Sequence, residues 1–171
     1  MLASNLDKNK YKNICLIDTN AKLAPKIKVS GGAKCNITNE LVSSKNYLGD
    51  RNFVKELLEK FSKDDLLTFL NKNGVFPKIN PKIVKGTYFC NSSQDVIDMF
   101  TKLTTHIKKY LNTTVLDVEF NNHYKIKTDT KLIEAKKLVV ASGGLSYAML
   151  GASSIAFDIA KKFGHTIEKL E

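Results

Sequence analysis

Val29-Ser30-Gly31-Gly32-Ala33-Lys34-Cys35-Asn36-Ile37-Thr38-Asn39 is the stretch on which the fold turns. It holds two adjacent glycines, a thiol and several short hydroxyl and amide side chains, with almost nothing apolar to bury. A loop with no core to build is shaped around something else. Its counterpart lies near the far end, where the extended run Lys137-Leu138-Val139-Val140-Ala141 breaks into Ser142-Gly143-Gly144. Two Gly-Gly turns beside extended apolar runs suit a backbone that approaches a ligand twice from one sheet, because glycine accepts left-handed dihedrals that other residues resist.

Upstream of the first turn, Asn13-Ile14-Cys15-Leu16-Ile17-Asp18 reads as a short buried strand ending in a carboxylate. An amphipathic helical end over residues 1–9 precedes it, with Leu2, Ala3 and Leu6 on one face. Helix, turn, strand and terminal acid make the second half of a dinucleotide-binding βαβ unit, where the acid grips the adenosine ribose hydroxyls. A plain turn or capping role for Asp18 is the alternative. The glycine fingerprint belongs roughly 20 residues before the acid. That falls at or before Met1, so the chain is expected to begin partway through the unit.

At 171 residues the chain is long enough for one domain with a sizeable core. No apolar run approaches the roughly 20 residues of a membrane helix, and no secretory leader is visible at the N-terminus. Three cysteines, Cys15, Cys35 and Cys90, are widely spaced and form no CxxC, which argues against a disulfide framework or zinc site and fits a reducing cytoplasm. The net charge of +10 raises nucleic acid as a partner. However, Arg51 is the one arginine among 27 basic residues, and the lysines are scattered. A solvated lysine-rich surface is the expectation, with neither nucleic acid nor membrane as partner and a small molecule as substrate.

Between the two turns, Phe53, Val54, Leu57, Leu58 and Phe61 give one helix with an expected buried face, and Ser62 with Asp65 opens a second that Gly74 stops. Residues 75–87, with Pro77 and Pro81, read as irregular connection or edge strand. Ser92 and Ser93 then offer N-caps to a long helix with Val96, Ile97, Phe100, Leu103, Ile107 and Leu111 on its stripe and His106 inside it. From Val115 the period becomes extended: Val115 to Phe120, a turn at Asn121-Asn122, Tyr124 to Thr128, another turn and Leu132-Ile133 form an antiparallel meander. The meander returns into residues 138–141, expected as a buried parallel strand. A helix from about Ser153, stopped at Gly164, leads into His165-Thr166-Ile167 as the start of a further strand.

The run Lys26-Ile27-Lys28-Val29-Ser30-Gly31-Gly32-Ala33-Lys34-Cys35-Asn36-Ile37-Thr38-Asn39 resembles the K-x-x-x-SGGGRCN-x-TN signature of a bacterial flavoprotein family. These are the NAD(P)/FAD-dependent oxidoreductases, or aminoacetone-oxidase-family FAD-binding enzymes, which include a bile-acid reductase. Ala141-Ser142-Gly143-Gly144 looks like the family's ATGG turn, and Gly151 with Gly164-His165-Thr166-Ile167 looks like its G-S-T-G…GHTI segment. Order and spacing agree across essentially the whole chain. Ala33 and Lys34 depart from the signature's glycine and arginine, Thr87 stands where an arginine is usual, and Ser153-Ser154 lacks the expected Gly-Asp pair.

The resemblance implies an α/β, Rossmann-like FAD-binding domain of the two-dinucleotide-binding type, here partial over residues 1–171. An inserted barrel and helical domain, and the return of the chain, would follow. It implies FAD as cofactor, with NAD(P)H as a candidate electron donor. By the same resemblance the cofactor-binding residues are Asp18, Lys26, Ser30, Gly31, Gly32, Cys35, Asn36, Thr38, Val115, Ala141, Ser142, Gly143 and Gly144. Asp18 would take the ribose and Val115 would meet the adenine through its backbone. Cys35 is open between redox chemistry and packing beside the cofactor, and His165 between general acid and local backbone partner. No residue is singled out as catalytic. A basic nucleic-acid-binding module and a non-functional gene fragment are the competing classes.

Overall fold

A computed structural model of the chain describes residues 1–79 and 85–168. In chain order the elements are β1 (Cys15–Ile17), α1 (Pro25–Val29), β2 (Asn36–Asn39), α2 (Arg51–Lys60), α3 (Lys63–Lys72), β3 (Lys78–Ile79) and β4 (Thr87–Phe89). Then come α4 (Ser93–Leu103), β5 (Lys108–Tyr110), β6 (Val115–Asn121), β7 (His123–Thr128), β8 (Leu132–Ala135) and α5 (Ile155–Lys162). Pro81 lies outside the described residues. The chain divides into two compact units, residues 1–6 with 24–106 and residues 7–23 with 107–171.

The first unit carries α1 to α4 and a three-stranded antiparallel sheet in the order β2-β4-β3. Its core gathers Cys35, Leu70, Val75, Cys90, Val96 and Met99, with Phe69 and Phe100 stacked at 6.1 Å. The helix starts are read directly from side chains. Asp50 accepts from the Asn52 and Phe53 N–H groups at α2. At α3, Ser62 Oγ accepts from Asp65 N at 3.1 Å while Asp65 Oδ2 accepts from Ser62 N at 2.8 Å, the reciprocal box expected from the sequence. Ser92 Oγ accepts from Gln94 N at α4.

The second unit holds a parallel pair, β1 with β5, and the meander β6-β7-β8. Val118 and Ile126 face each other across β6 and β7 at 1% and 2% exposure, forming the meander's buried centre. The turn between these strands places Asn122 at φ +62°, a left-handed position that asparagine tolerates better than most residues. Lys162 Nζ on α5 donates to both Asp117 oxygens of β6, at 2.6 and 2.8 Å. Among the described residues no helix is long and apolar enough to cross a membrane.

Five expectations are corrected. The long helix ends at Leu103, where Thr104 Oγ1 turns back to Phe100 O at 2.7 Å. Residues 108–110, expected on its stripe side, instead form β5, because β1 supplies a parallel partner that outweighs a helical pattern. Residues 138–141 belong to no strand among the described residues, and Val139 is 63% exposed. An apolar run becomes a strand only where a neighbour takes up its backbone groups. The α2 stripe is not buried: Phe53 is 60% and Leu57 48% exposed. Residues 165–167 form no strand, and the N-terminal helix is reduced to a 3₁₀ turn over Leu2–Asn5.

Two carboxyl groups lie below the usual carboxylate range: Asp65 through the Ser62 hydroxyl and N–H, and Asp117 chiefly through the Lys162 ammonium. A depressed folded pKa stabilises above the unfolded value near 3.9, and the contribution is lost as pH falls through the folded value. The melting temperature should therefore drop on acidification below about pH 4. Asp117→Asn should remove part of that slope, and a slope unchanged in this variant would contradict the assignment. Ser62→Ala should cost about 1 kcal/mol in denaturant unfolding, through loss of the α3 cap.

Candidate functional site

The glycine loop is held from three sides in the first unit. Pro25 opens α1 at a position where its missing N–H is not needed, and the helix stops after five residues. Gly31, Gly32, Ala33 and Cys35 then take φ values of +57°, +62°, +66° and +56°. The loop closes on itself through Cys35 N to Ser30 O at 2.9 Å, Lys34 N to Gly31 O at 3.2 Å and Asn36 N to Ser30 Oγ at 3.3 Å. From outside, the Ser93 N–H donates to Ala33 O at 2.7 Å and Ser93 Oγ to Lys28 O at 3.1 Å. Cys90 N donates to Lys34 O at 2.9 Å.

The chemical result is a turn whose outward donors are left over. Among the described residues the N–H groups of Gly31, Gly32 and Ala33 have no acceptor. Successive backbone N–H groups in a turn form a concavity suited to an anion or a carbonyl-rich ring edge. The two glycines differ in why they are glycine. A Cβ at Gly31 would collide with the Asn36 side chain, whereas at Gly32 nothing stands within 4 Å. Lys26 is half-buried on α1, Asn36 is exposed, and Thr38 is half-buried in β2 opposite Tyr88.

Cys35 lies inside the core at 5% exposure, so packing is its observed environment. Burial pushes its thiol pKa up. Cys90, at 4% exposure, has a thiol pushed up to about 11 by burial, then by Cys35 and Asp95. Both thiols are therefore protonated at neutral pH. Among the described residues no group of three His, Cys, Asp or Glu is arranged for a metal ion.

Asp18, Val115 and residues 141–144 belong to the second unit. Asp18 follows β1, donates its N–H to Tyr110 O, and accepts from Thr113 N through its backbone carbonyl. Its Oδ1 accepts from Asn20 N at 2.9 Å and Asn20 Nδ2 at 3.0 Å, an Asx turn that leaves Oδ2 without a partner among the described residues. Asn20 also reaches Leu150 O at 3.3 Å, and a Cβ at Gly151 would press on its amide. Val115 opens β6, paired with Thr128 beside a bulge. Ala141, Ser142 and Gly143 are exposed, with Gly143 at φ +76°. His165 is exposed, and its N–H closes the end of α5 onto Ala160 O.

Sequence reasoning did not single out Ser93 as the loop's anchor, Cys90 as the neighbour of Cys35, or Asn20 as the orienting partner of Asp18. The Asp18-Thr19-Asn20 order carried a turn signal for the last. The other two depend on pairings across more than fifty residues, which no local pattern encodes.

The model of the HI0933-like protein Rossmann domain matches residues 1–170. The chain belongs to that family. Among curated relatives it is 32% identical over 169 residues to the ribosomal RNA dihydrouridine synthase of Escherichia coli, covering 96% of this chain and 42% of the relative. It is 30% identical over 165 residues to the Haemophilus influenzae protein of the same name, covering 90% and 40%. To the 3-dehydro-bile acid delta(4,6)-reductase of Clostridium scindens it is 23% identical over 161 residues, covering 90% and 38%. The chain thus spans about two fifths of the length of these relatives. The HI0933-like family is one of flavin-binding oxidoreductases with a Rossmann-type domain.

The loop geometry makes a graded prediction. Gly31→Ala combines a left-handed φ with a steric collision and should cost roughly 2–3 kcal/mol. Gly32→Ala, with open space, should cost about 1 kcal/mol. Denaturant unfolding of both variants checks the order, and equal costs would contradict the role given to Asn36.

Proposed function

We propose that this chain is the FAD-binding part of a cytoplasmic flavin-dependent oxidoreductase. The observation that carries the reading is the Ser30–Asn36 loop, with left-handed backbone at Gly31 and Gly32 and N–H groups free to meet a ligand. Bound FAD would supply the redox chemistry, with NAD(P)H as the candidate donor. The chain's own residues bind and orient. The 31–33 N–H groups would hold the electron-rich edge of the flavin ring, and fixed donors of this kind would favour the negative charge of its reduced form. The free Oδ2 of Asp18, oriented by Asn20, is suited to ribose hydroxyls. Ser142, Gly143 and Gly144 keep the second-turn role that the family pattern gives them.

The test is direct. The purified chain, refolded with excess FAD, should retain a flavin absorbance spectrum after desalting, and Gly31→Ala should lower the retained fraction several-fold. No retained flavin, in this chain or in a longer version matching the relatives' length, would defeat the reading.

A second reading concerns the substrate of the whole enzyme. Two relatives act on ribosomal RNA by name, and this chain carries a net charge of +10. Against a basic stripe on the meander, Lys125 stands between Glu119 and Glu134 in the register, and Lys127 stands across from Asp117. Each of these lysines faces a carboxylate across the ladder, so the meander offers no uninterrupted basic stripe and an RNA surface would draw on other lysines. Binding to a ribosomal RNA fragment should weaken steeply with salt if RNA is the substrate class. Absence of binding at low salt leaves a small molecule, as in the third relative's name.

A further inference from the structure

We propose that Cys35 and Cys90 are a dithiol pair that closes to an intramolecular disulfide, a redox-sensitive staple between the glycine loop and the strand end beside it. The pairing follows from the register. Asn36 lies opposite Phe89 as the last rung of the β2–β4 ladder, and Cys35, one residue earlier, and Cys90, one residue later, are the two residues that leave that rung at the same end. The Cys90 N–H donates to Lys34 O at 2.9 Å. Short covalent paths join each end of that hydrogen bond to the Cα atoms of Cys90 and Cys35, which holds the two Cα atoms within about 7 Å. Disulfides span roughly 4.4–6.8 Å between Cα atoms, so small adjustment suffices. Both side chains belong to one buried cluster, and both thiols are free in this structure.

The chemistry balances with hydrogen peroxide as oxidant. One thiolate attacks the peroxide, the O–O bond breaks, and a sulfenic acid forms as one molecule of water leaves. The second thiol attacks that sulfur, the S–S bond forms, and the hydroxyl leaves as a second water. Two sulfurs are oxidised by one electron each, and the two peroxide oxygens are reduced. An added dithiol reverses the step by exchange. Burial makes the pair slow at neutral pH, since only thiolate reacts. The rate should climb about tenfold per pH unit below the thiol pKa values. Cys15, exposed and in the other unit, has no part in the pair. The proposal does not depend on a flavin being bound.

The native chain is treated with hydrogen peroxide, quenched, alkylated under denaturing conditions and mapped without reduction. The expected product is one linked peptide pair containing Cys35 and Cys90, two hydrogens lighter than the sum. Two of the three thiols should be lost, with full reversal by dithiothreitol. The closed form should melt roughly 10 °C higher, because the link closes a loop of more than fifty residues in the unfolded chain. Cys15→Ser should give the same map. The proposal is overturned if Cys35 and Cys90 both remain alkylatable, if one stops at a sulfinic acid without linkage, or if the link appears only in denaturant. Because the unaltered chain is itself mapped, no core substitution has to fold for the answer to be read.

Discussion

The hydrogen bonds made by Ser93 are the constraint on which the candidate site depends. The first N–H groups of a helix have no partner within it, and α4 gives one of them to Ala33 O, inside the glycine loop. The hydroxyl of the same residue takes Lys28 O, at the end of α1. One buried serine, 3% exposed, therefore fixes both the helix before the loop and the loop itself. With those carbonyls occupied, the loop is left presenting donors. Its polarity toward a ligand is set by what α4 has already taken.

That arrangement also explains the composition of the loop. Four left-handed residues in five positions are needed to fold the backbone between α1 and β2 in so short a span. Glycine fills two of them without strain. Ala33 and Cys35 fill the others at a cost of about 1–2 kcal/mol each, which is sustained only because hydrogen bonds to Ser93 and Ser30 over-determine the backbone there. Side chains at these positions are small or turned into the core, so the outward surface is backbone.

Local features were legible in the sequence, and partner-dependent ones were not. The Ser62–Asp65 box, the glycine stop after α3, the three-strand meander and the Gly31–Gly32 turn each follow from residues within a few positions of one another. The misreadings share one cause. Residues 108–110 looked helical until β1 offered a parallel partner, and residues 138–141 looked like a strand although no described neighbour pairs with them. The stripe of α2 has a sound helical period, yet period alone does not say that a face is covered. At the site, the αL turn was readable from glycine, while Cys90 and Ser93 became neighbours of the loop only through tertiary folding.

The bare α2 stripe gives the lysine surplus a colloidal meaning. Phe53 and Leu57 face water on one side of a helix, and Leu48 just before it is 89% exposed. Such a face attracts its like, and in a chain of net charge +10 long-range repulsion opposes that attraction. Salt acts on both sides of the balance: it shortens the repulsion to a Debye length, and salting-out anions such as sulfate strengthen apolar association. Dispersion of this chain in solution is thus governed by ionic strength and by the identity of the anion, with dilute buffers keeping molecules apart and ammonium sulfate bringing them together.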